Sequence, residues 1–132
     1  LHLVSLHWRF EWPDRHFALS QFAQKLQSAY VRREPTPSRL QRDVAAALDR
    51  VGWTHVYEHV TSDGLSLDMA QPNAKRAVEV DGPSHFLKNV ATKEYVENGP
   101  TRFKSRLLCR LRWDVVHVPF FEWDPLRGAE EK

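Results

Sequence analysis

The chemically most suggestive residues in the sequence are three carboxylates, Asp68, Glu79 and Asp81, that lie close together along the chain. Strand side chains alternate between faces, so Glu79 and Asp81 are predicted to share one face while Val78 and Val80 share the other. Paired carboxylates repel each other and are costly to remove from water. Such a pair indicates a metal site, a basic partner or a solvated edge.

Two kinds of role suit this acidic cluster. A hard cation such as Mg²⁺ prefers carboxylate oxygens, and between Asp68 and Glu79 it would activate a water for phosphodiester hydrolysis. The structural alternative is that Asp68 caps a strand end and Asp81 holds the turn at Gly82 through its side chain. The spacing alone leaves both roles open.

A basic stripe follows Pro100. Arg102, Arg106 and Arg110 lie four residues apart, so in a helix they share one face, and Lys104 lies beside it. The formal net charge of the whole chain is only +2, so this is a local concentration of positive charge. Arginine makes bidentate contacts with phosphate, and free backbone N–H groups at the helix start add to the attraction. The stripe therefore predicts a phosphate-binding surface.

The alternative for the stripe is a solvated helix face whose arginines pair with Glu94, Glu97 or the acidic residues near the chain end. His85 follows Asp81 by four residues, on a loop that also carries Lys88. His85 is suited to donating to a phosphate or ligating a metal, and packing within a turn is its structural alternative.

The remaining histidines and the single cysteine indicate no zinc site. His55 and His59 lie about 13 Å apart on an extended strand, too far for one metal. Cys109 excludes an internal disulfide framework and is predicted to be a buried or half-buried thiol. Four aromatic residues suited to base stacking are more typical of the core: Trp53, Tyr57, Tyr95 and Trp113.

The composition is that of a single folded domain. The chain has 132 residues, 42% hydrophobic and 27% charged, and no apolar run long enough to cross a bilayer. Because it begins with Leu1 rather than Met, we expect a fragment or a processed product.

The pattern of apolar residues predicts an α/β order of elements. Residues 1–14 are predicted to form a strand, residues 16–32 a helix, and residues 33–37 a linker that marks the main domain boundary. A helix with a capping box at Ser38 and Gln41 follows and ends at Gly52. Three strands come next, at Thr54–Val60, Leu65–Ala70 and Arg76–Asp81.

The last third of the chain is predicted to be irregular over residues 82–99, with a helical piece at 92–97. A helix then begins at Pro100, and a buried strand follows at Val115–Val118. The division is therefore an N-terminal strand and helix extension over 1–35, a main domain over 36–126 and a loose charged tail over 127–132.

In order, these residues resemble the RAP domain, an RNA-binding module of apicomplexan, mitochondrial and chloroplast proteins. The resemblance runs from about Ser38 to Leu126. Its anchors include Ser38-Arg39-Leu40-Gln41, Leu67-Asp68-Met69-Ala70, Ala77-Val78-Glu79-Val80-Asp81-Gly82-Pro83-Ser84-His85-Phe86, Asn98-Gly99-Pro100-Thr101 and Trp113-Asp114-Val115-Val116. One departure is Arg112, where the family pattern usually has glycine before the tryptophan.

The resemblance implies a restriction-endonuclease-like, PD-(D/E)XK fold, with a small mixed sheet flanked by helices. In that comparison Asp68 matches the metal-binding aspartate and Glu79 the acidic residue of the (D/E)XK motif. The motif lysine is missing, because Asp81 stands in its place. Lys104 would substitute only by reaching into the site, so catalysis is not favoured.

The resemblance therefore implies a non-catalytic RNA-binding module that needs no cofactor. The residues expected to contact RNA are His85, Lys88, Arg102, Lys104, Arg106 and Arg110. The implied location is an organelle, with the mitochondrion placed first, and the implied partners are RNA, including ribosomal RNA, and ribosomal or other ribonucleoprotein proteins, with no membrane.

Two alternatives remain open. One is a Mg²⁺-dependent endoribonuclease that uses Asp68, Glu79 and Asp81, assisted by Lys104 or His85, with the metal held by Asp68 and Glu79. The other is a domain that binds proteins through its aromatic surface and does not contact RNA.

Overall fold

The computed structural model describes residues 2–14, 20–31 and 37–124. Within them the helices are α1 (His2–Glu11), α2 (Ala23–Val31), α3 (Arg39–Arg50) and α4 (Gly99–Arg110). The strands are β1 (Val56–Val60), β2 (Ser66–Gln71), β3 (Arg76–Asp81), β4 (Phe86–Lys88), β5 (Tyr95–Glu97) and β6 (Asp114–Pro119). Short 3-10 turns lie at Pro72–Ala74 and Pro83–His85, and residues 120–124 are helical.

The main sheet has the strand order β1-β2-β3-β6. Strands β1, β2 and β3 pair antiparallel, whereas β3 and β6 pair parallel, with Glu79 opposite His117 and Asp81 opposite Pro119. A parallel pair requires a crossover connection, and α4 lies within it. The small mixed sheet and its helices confirm the predicted α/β fold class.

Apolar side chains cover both faces of this sheet. On one face Leu67, Leu107 and Leu108 are fully buried, and Leu6 of α1 packs in the same cluster. On the other face, Val44 of α3 packs against a cluster formed by Met69, Val78 and Val80. Burying one such side chain stabilises the fold by about 1.5–3 kcal/mol. The helices α3 and α4 therefore hold the sheet between them.

The first helix after the linker forms as its sequence predicts. The side chain of Ser38 accepts a hydrogen bond from the backbone N–H of Gln41, and the Gln41 side chain accepts one from the backbone of Ser38. Gly52 has a φ of +74°, and the N–H of Trp53 donates to the carbonyl of Leu48. These contacts satisfy groups that a helix end leaves unpaired.

The predicted strand at residues 1–14 is wrong, because residues 2–11 form α1. The alternation of aromatic residues there coincides with a helical stripe of Leu3, Leu6 and Phe10, which packs on the core. The predicted helix at 16–32 is observed over Ala23–Val31. Residues 15–19, most of the predicted linker and the predicted tail lie outside the described residues.

The helical piece predicted at 92–97 is also wrong, because the chain there forms the antiparallel ribbon of β4 and β5. Asn89 holds its turn by accepting from the N–H groups of Ala91 and Thr92. The ring of Tyr95 stacks on Phe121 at a centroid distance of 4.8 Å. Aromatic packing therefore fixes a segment whose local sequence carries little strand signal.

Two smaller findings concern single features. Cys109 is exposed, so the prediction of a buried or half-buried thiol is wrong. The helix turns Cys109 outward while its neighbours Leu107 and Leu108 take the buried positions. Among the described residues, none of the helices has both the length and the apolar character that a membrane span requires.

Candidate nucleic-acid interface

A buried carboxylate, Asp81, contacts two histidines. The Nδ1 atom of His117 lies 2.6 Å from one Asp81 oxygen, and the Nδ1 atom of His85 lies 2.7 Å from the other. The first contact is a hydrogen bond, and the second is an ion pair without hydrogen-bond geometry. The Nε2 atom of His117 lies 3.1 Å from the hydroxyl of Ser105 on α4. The turn role considered for Asp81 is therefore replaced by a role in holding two imidazole rings.

Local structure places these three groups together. Alternation along β3 turns Asp81 towards α4, and the parallel register with β6 brings His117 beside it. The 3-10 turn Pro83–His85 begins directly after Gly82 and folds His85 back over the end of β3. Asp81 and His117 lie far apart in the sequence, so no local motif predicts their contact.

The shared carboxylate changes how all three groups ionise. Burial alone would raise the pKa of Asp81, but the hydrogen bond from His117 and the contact with His85 outweigh it and lower that pKa. The contact with Asp81 raises the pKa of His85 and of His117, against the opposing effect of burial. Both histidines are therefore better proton acceptors than a free imidazole.

Lys104 supplies an ammonium group to the same face of the sheet. Its Nζ atom lies 2.5 Å from Oε2 of Glu79, which is buried next to Asp81 on the face of β3 that Asp81 shares. The condition stated for Lys104, that it reach into the acidic site, is met. Lys104 reaches Glu79 from α4, whereas Asp81 occupies the strand position two residues after Glu79.

Asp68 lies on β2, and its side chain contacts β3 and α3. Its carboxylate accepts from the side chain of Gln41 at 2.6 Å and from the N–H of Val80 at 2.7 Å. Gln41 also donates to Glu58 at 2.8 Å. Burial and the nearby Glu79 carboxylate raise the pKa of Asp68 to about 6.

Sequence patterns indicated no role for Glu58 and only a capping role for Gln41. The capping box shows how Gln41 fits the start of α3, but it carries no sign that the same amide reaches two carboxylates. Glu58 shows no local motif, and its φ of +51° is a backbone feature that its sequence does not reveal.

The carboxylates fit a Mg²⁺ ion poorly. All four oxygens of Asp68 and Glu79 accept hydrogen bonds from protein donors, which are Gln41, the N–H of Val80, the N–H of Asp68 and Lys104. Among the described residues, no group of three or more potential metal ligands is arranged around one point. An ion between Asp68 and Glu79 would compete with these internal donors.

A cavity of about 280 Å³ opens above Asp81 and Glu79. Its lining includes His85, His117 and Lys104, whose side chains are 40%, 26% and 24% exposed. The side chains of Asp81 and Glu79 beneath them are 2% and 5% exposed. The groups that can carry positive charge are thus accessible, and the groups that carry negative charge lie below.

A larger groove of about 850 Å³ lies between α1, α2 and the start of α4. Arg102 and Arg106 line it together with Tyr30 and Phe103, and neither arginine has a carboxylate partner within the described residues. Arg110 differs, because it pairs with Glu11 of α1 at 2.8 Å. The two cavities share Leu3, Tyr30 and Pro100 in their linings, so they adjoin.

The six residues predicted to contact RNA therefore occupy separate places. Arg102 and Arg106 line the larger groove, and His85 and Lys104 line the smaller cavity. Arg110 faces α1, in place of the pairing with Glu94 or Glu97 considered from the sequence. Lys88 is exposed on β4, with its ammonium 5.1 Å from the centre of the Tyr95 ring.

Comparison with known proteins identifies the family. Residues 78–132 match the model of the RAP domain. A curated relative, "RAP domain-containing protein, chloroplastic" from Oryza sativa subsp. japonica, is 35% identical over 97 residues. This chain carries a RAP domain. The predicted family is thereby confirmed, and the aligned region covers 72% of this chain but only 14% of the relative.

The RAP match begins at Val78 within β3. It thus contains Asp81 and both of its histidines, whereas Asp68 precedes it. Among solved structures, the "Homing Endonuclease I-Bth0305I Catalytic Domain" is similar, with 22% identity and a TM-score of 0.45. That similarity covers 74% of this chain and 89% of the other.

Arg112, where this RAP domain departs from the family pattern, has an unusual backbone conformation. Arg112 has a φ of +64°, in the left-handed region that glycine adopts most readily. It ends α4 as Gly52 ends α3, with the N–H of Trp113 donating to the carbonyl of Leu108. The local turn is therefore kept, with arginine in the position that suits glycine.

Proposed function

We propose that this RAP domain is an RNA-binding module that holds the phosphate backbone in the groove beside α4. The RAP family supports RNA binding at this general level. The observation that carries the proposal is the pair Arg102 and Arg106, which line one groove without carboxylate partners among the described residues. An unpaired guanidinium is free to make the bidentate phosphate contacts for which arginine is suited.

The aromatic groups in the groove suit a single-stranded ligand. Tyr30 and Phe103 lie in the same lining, and the guanidinium of Arg106 lies 5.5 Å from the centre of the Phe103 ring. Aromatic faces beside arginines bind unpaired bases by stacking, with little dependence on sequence. From the groove, a bound strand would continue into the smaller cavity with Lys104 and His85. Recognition would rest on backbone and shape more than on base identity.

An organelle is the proposed location, because the curated relative is named as chloroplastic. Three finer proposals follow from the family resemblance. They are the mitochondrion as the particular organelle, ribosomal RNA as the ligand, and a place among ribosomal or other ribonucleoprotein proteins. A cofactor is not needed for this function, because the proposed contacts come from side chains alone.

Salt dependence of binding tests the proposal directly. A fluorescein-labelled single-stranded RNA should bind the purified chain, and log K should fall with log salt by about 0.7 for each phosphate neutralised. The double variant Arg102→Ala/Arg106→Ala should bind more weakly and with a shallower slope. Arg50→Ala removes an exposed arginine from α3, on the other side of the sheet, and serves as the matched control. Binding that ignores salt and both arginines would contradict the proposed surface, and failure of the RNA to bind would favour the protein-binding alternative.

A Mg²⁺-dependent endoribonuclease that uses Asp68, Glu79 and Asp81 is the second candidate. One observation favours it, since Lys104 reaches Glu79 and supplies the lysine that the strand motif lacks. The internal donors on the Asp68 and Glu79 oxygens weigh against it. Cleavage that requires Mg²⁺ and stops on Asp68→Ala would support this candidate, whereas intact RNA after prolonged incubation with Mg²⁺ would remove it.

A further inference from the structure

The smaller cavity combines two imidazole rings on one buried carboxylate, Asp81, with an ammonium group, Lys104, on a second, Glu79. His85 and His117 both direct Nδ1 to Asp81, so the Nε2 atom of each ring lies on the side away from that carboxylate. For His117 this atom faces Ser105, which lines the cavity. Lys104 completes the set from α4.

We propose that this cavity cleaves RNA without a metal ion, with His85 and His117 exchanging protons with the RNA and Lys104 stabilising the negative charge that develops on the phosphate. This inference rests on the proposed function, because the RNA must first be bound. Asp81 is a positioning residue in this scheme, since it orients both rings and does not touch the substrate. The cavity, about 280 Å³, is close to the lower size of known small-ligand pockets, about 300 Å³.

The reaction needs no further reactant. The neutral imidazole takes the proton from a ribose 2′-hydroxyl, and the 2′-oxygen forms a bond to the adjacent phosphorus. The bond between phosphorus and the 5′-oxygen breaks, and the protonated imidazole gives its proton to that oxygen. The products are a 2′,3′-cyclic phosphate and a 5′-hydroxyl, and the two histidines have exchanged protonation states. General acid–base catalysis of this kind contributes about 10²–10⁴-fold to a rate.

The local charges suit one protonated and one neutral ring. Glu79 balances Lys104, which leaves the single negative charge of Asp81 to balance one imidazolium. Besides Asp81, the carboxylates of Glu79 and Glu97 raise the pKa of His117. Lys104 lowers the pKa of His85, and Asp68 raises it. The raised pKa values favour the protonated form of a ring that contacts Asp81.

The geometry does not favour Ser105 as a nucleophile, although Asp81, His117 and Ser105 are linked in series. Ser105 lies in the interior of α4, where backbone N–H groups donate within the helix. They are therefore not free to stabilise an oxyanion, which serine catalysis requires. A substrate hydroxyl in the place of the Ser105 hydroxyl would instead meet the Nε2 atom of His117.

The test uses the purified chain with excess EDTA and two oligonucleotides. One is a labelled single-stranded RNA, and the other has the same sequence in DNA with one central ribonucleotide. Both should be cut, the second only at its ribonucleotide, and the products should carry a 2′,3′-cyclic phosphate and a 5′-hydroxyl. His85→Ala and His117→Ala should each lower the single-turnover rate, measured at saturating protein, by about 10²–10⁴-fold, which is more than either change weakens RNA binding. Asp81→Asn should move both limbs of the bell-shaped pH profile to lower pH, because it removes the group that raises both histidine pKa values.

A histidine outside the cavity provides the matched control. His59 lies on β1, where its ring contacts Trp113, and His59→Gln should cleave like the unchanged chain. RNA that binds with the expected salt dependence but stays intact in EDTA would overturn this inference and leave the proposed function standing. Cleavage that persists in His117→Ala would overturn it as well, and would point to a contaminating ribonuclease. Failure of the RNA to bind would overturn both proposals.

Discussion

The Nζ atom of Lys104 lies 2.5 Å from the Oε2 atom of Glu79, so a helix supplies the cation that the acidic strand lacks. The Glu79 side chain is 5% exposed, so its carboxylate would be unfavourable as an unpaired charge. The pair leaves Lys104 at the cavity wall, where 24% of its side chain remains accessible. One contact therefore serves both the stability of β3 and the charge of the cavity.

Removing Lys104 should destabilise the protein because it leaves Glu79 buried without its partner. We expect Lys104→Met to lower the free energy of unfolding by on the order of 3 kcal/mol. Adding Glu79→Gln to that variant should restore most of the loss, because no charge then remains buried. Urea unfolding of both single variants and the double variant gives the coupling energy of the pair. A coupling energy near zero would contradict the close contact.

The stability of the protein should fall as pH rises above about 6.5. The contact with Asp81 raises the pKa of His85 and His117 in the folded state, so their contribution is full below the unfolded pKa of about 6.5. It is lost as pH rises through the folded pKa values. Urea unfolding between pH 6 and pH 9 measures this loss, and Asp81→Asn should make the dependence nearly flat.

Above about pH 6.5 the pH dependence of stability comes from the histidines, because the carboxylates of Asp81 and Asp68 contribute at lower pH. Asp81, whose pKa is lowered, adds stability that disappears only as pH falls below its unfolded value of about 4. Asp68, with a pKa raised to about 6, lowers stability as pH rises towards that value and changes little above it. If Asp81→Asn keeps the same decline above pH 6.5, the two imidazole rings are not its cause.

Two arginines of the stripe, Arg106 and Arg110, should differ in their effect on RNA binding. Arg106 has no carboxylate partner among the described residues, whereas Arg110 pairs with Glu11. We expect Arg106→Ala to weaken binding and reduce the magnitude of the salt slope by about 0.7. Arg110→Ala should change the slope less and stability by less than about 1 kcal/mol. Anisotropy titrations at several salt concentrations, combined with urea unfolding, measure both effects; equal slopes would contradict the distinction.

Replacing Arg112 by glycine should stabilise the protein. Its φ of +64° costs an L-residue about 1 kcal/mol relative to glycine, so Arg112→Gly should raise the midpoint of thermal unfolding by about 4 °C. Arg112→Ala removes the charge but keeps the strain, so it should not reproduce the gain. Gly52→Ala tests the reverse change at the end of α3, where no atom would contact the added Cβ. That variant should lose about 1 kcal/mol.

Local sequence patterns predicted the central elements well. The bounds predicted for the third strand match β3, and the capping box placed the start of α3. The predicted faces of β3 also hold, because Glu79 and Asp81 contact α4 and β6 residues while Val78 and Val80 pack on the α3 side. These features depend on alternation, helical period and capping, which the sequence records directly.

The errors arose where distant packing decides the structure. The order of Trp8, Phe10 and Trp12 suits a strand, but the core needs Leu3, Leu6 and Phe10 on one helical face. The ribbon of β4 and β5 is likewise held by aromatic contacts with residues 120 and 121. Single-sequence patterns carry no information about such partners.

The candidate site was predicted as a set of residue types but not as an arrangement. The carboxylates, His85 and the basic helix were identified, whereas His117 was not, since it lies in an apolar strand with no motif around it. The alternation of side chains along β6 was the available indication, because it places His117 on the same face as Val115, which packs on the core. Only the register of β3 with β6 brings it to Asp81.

Strand β6 lies at the edge of the sheet, and it carries one of the two rings that Asp81 holds. Departure of this edge would split the proton-exchanging pair while the hairpins formed by β1, β2 and β3 could remain joined. The ionisation of His117 therefore reports whether β6 is paired with β3. A chain in which β6 has separated from β3 would show no activity in the cleavage assay, although most of its secondary structure would remain.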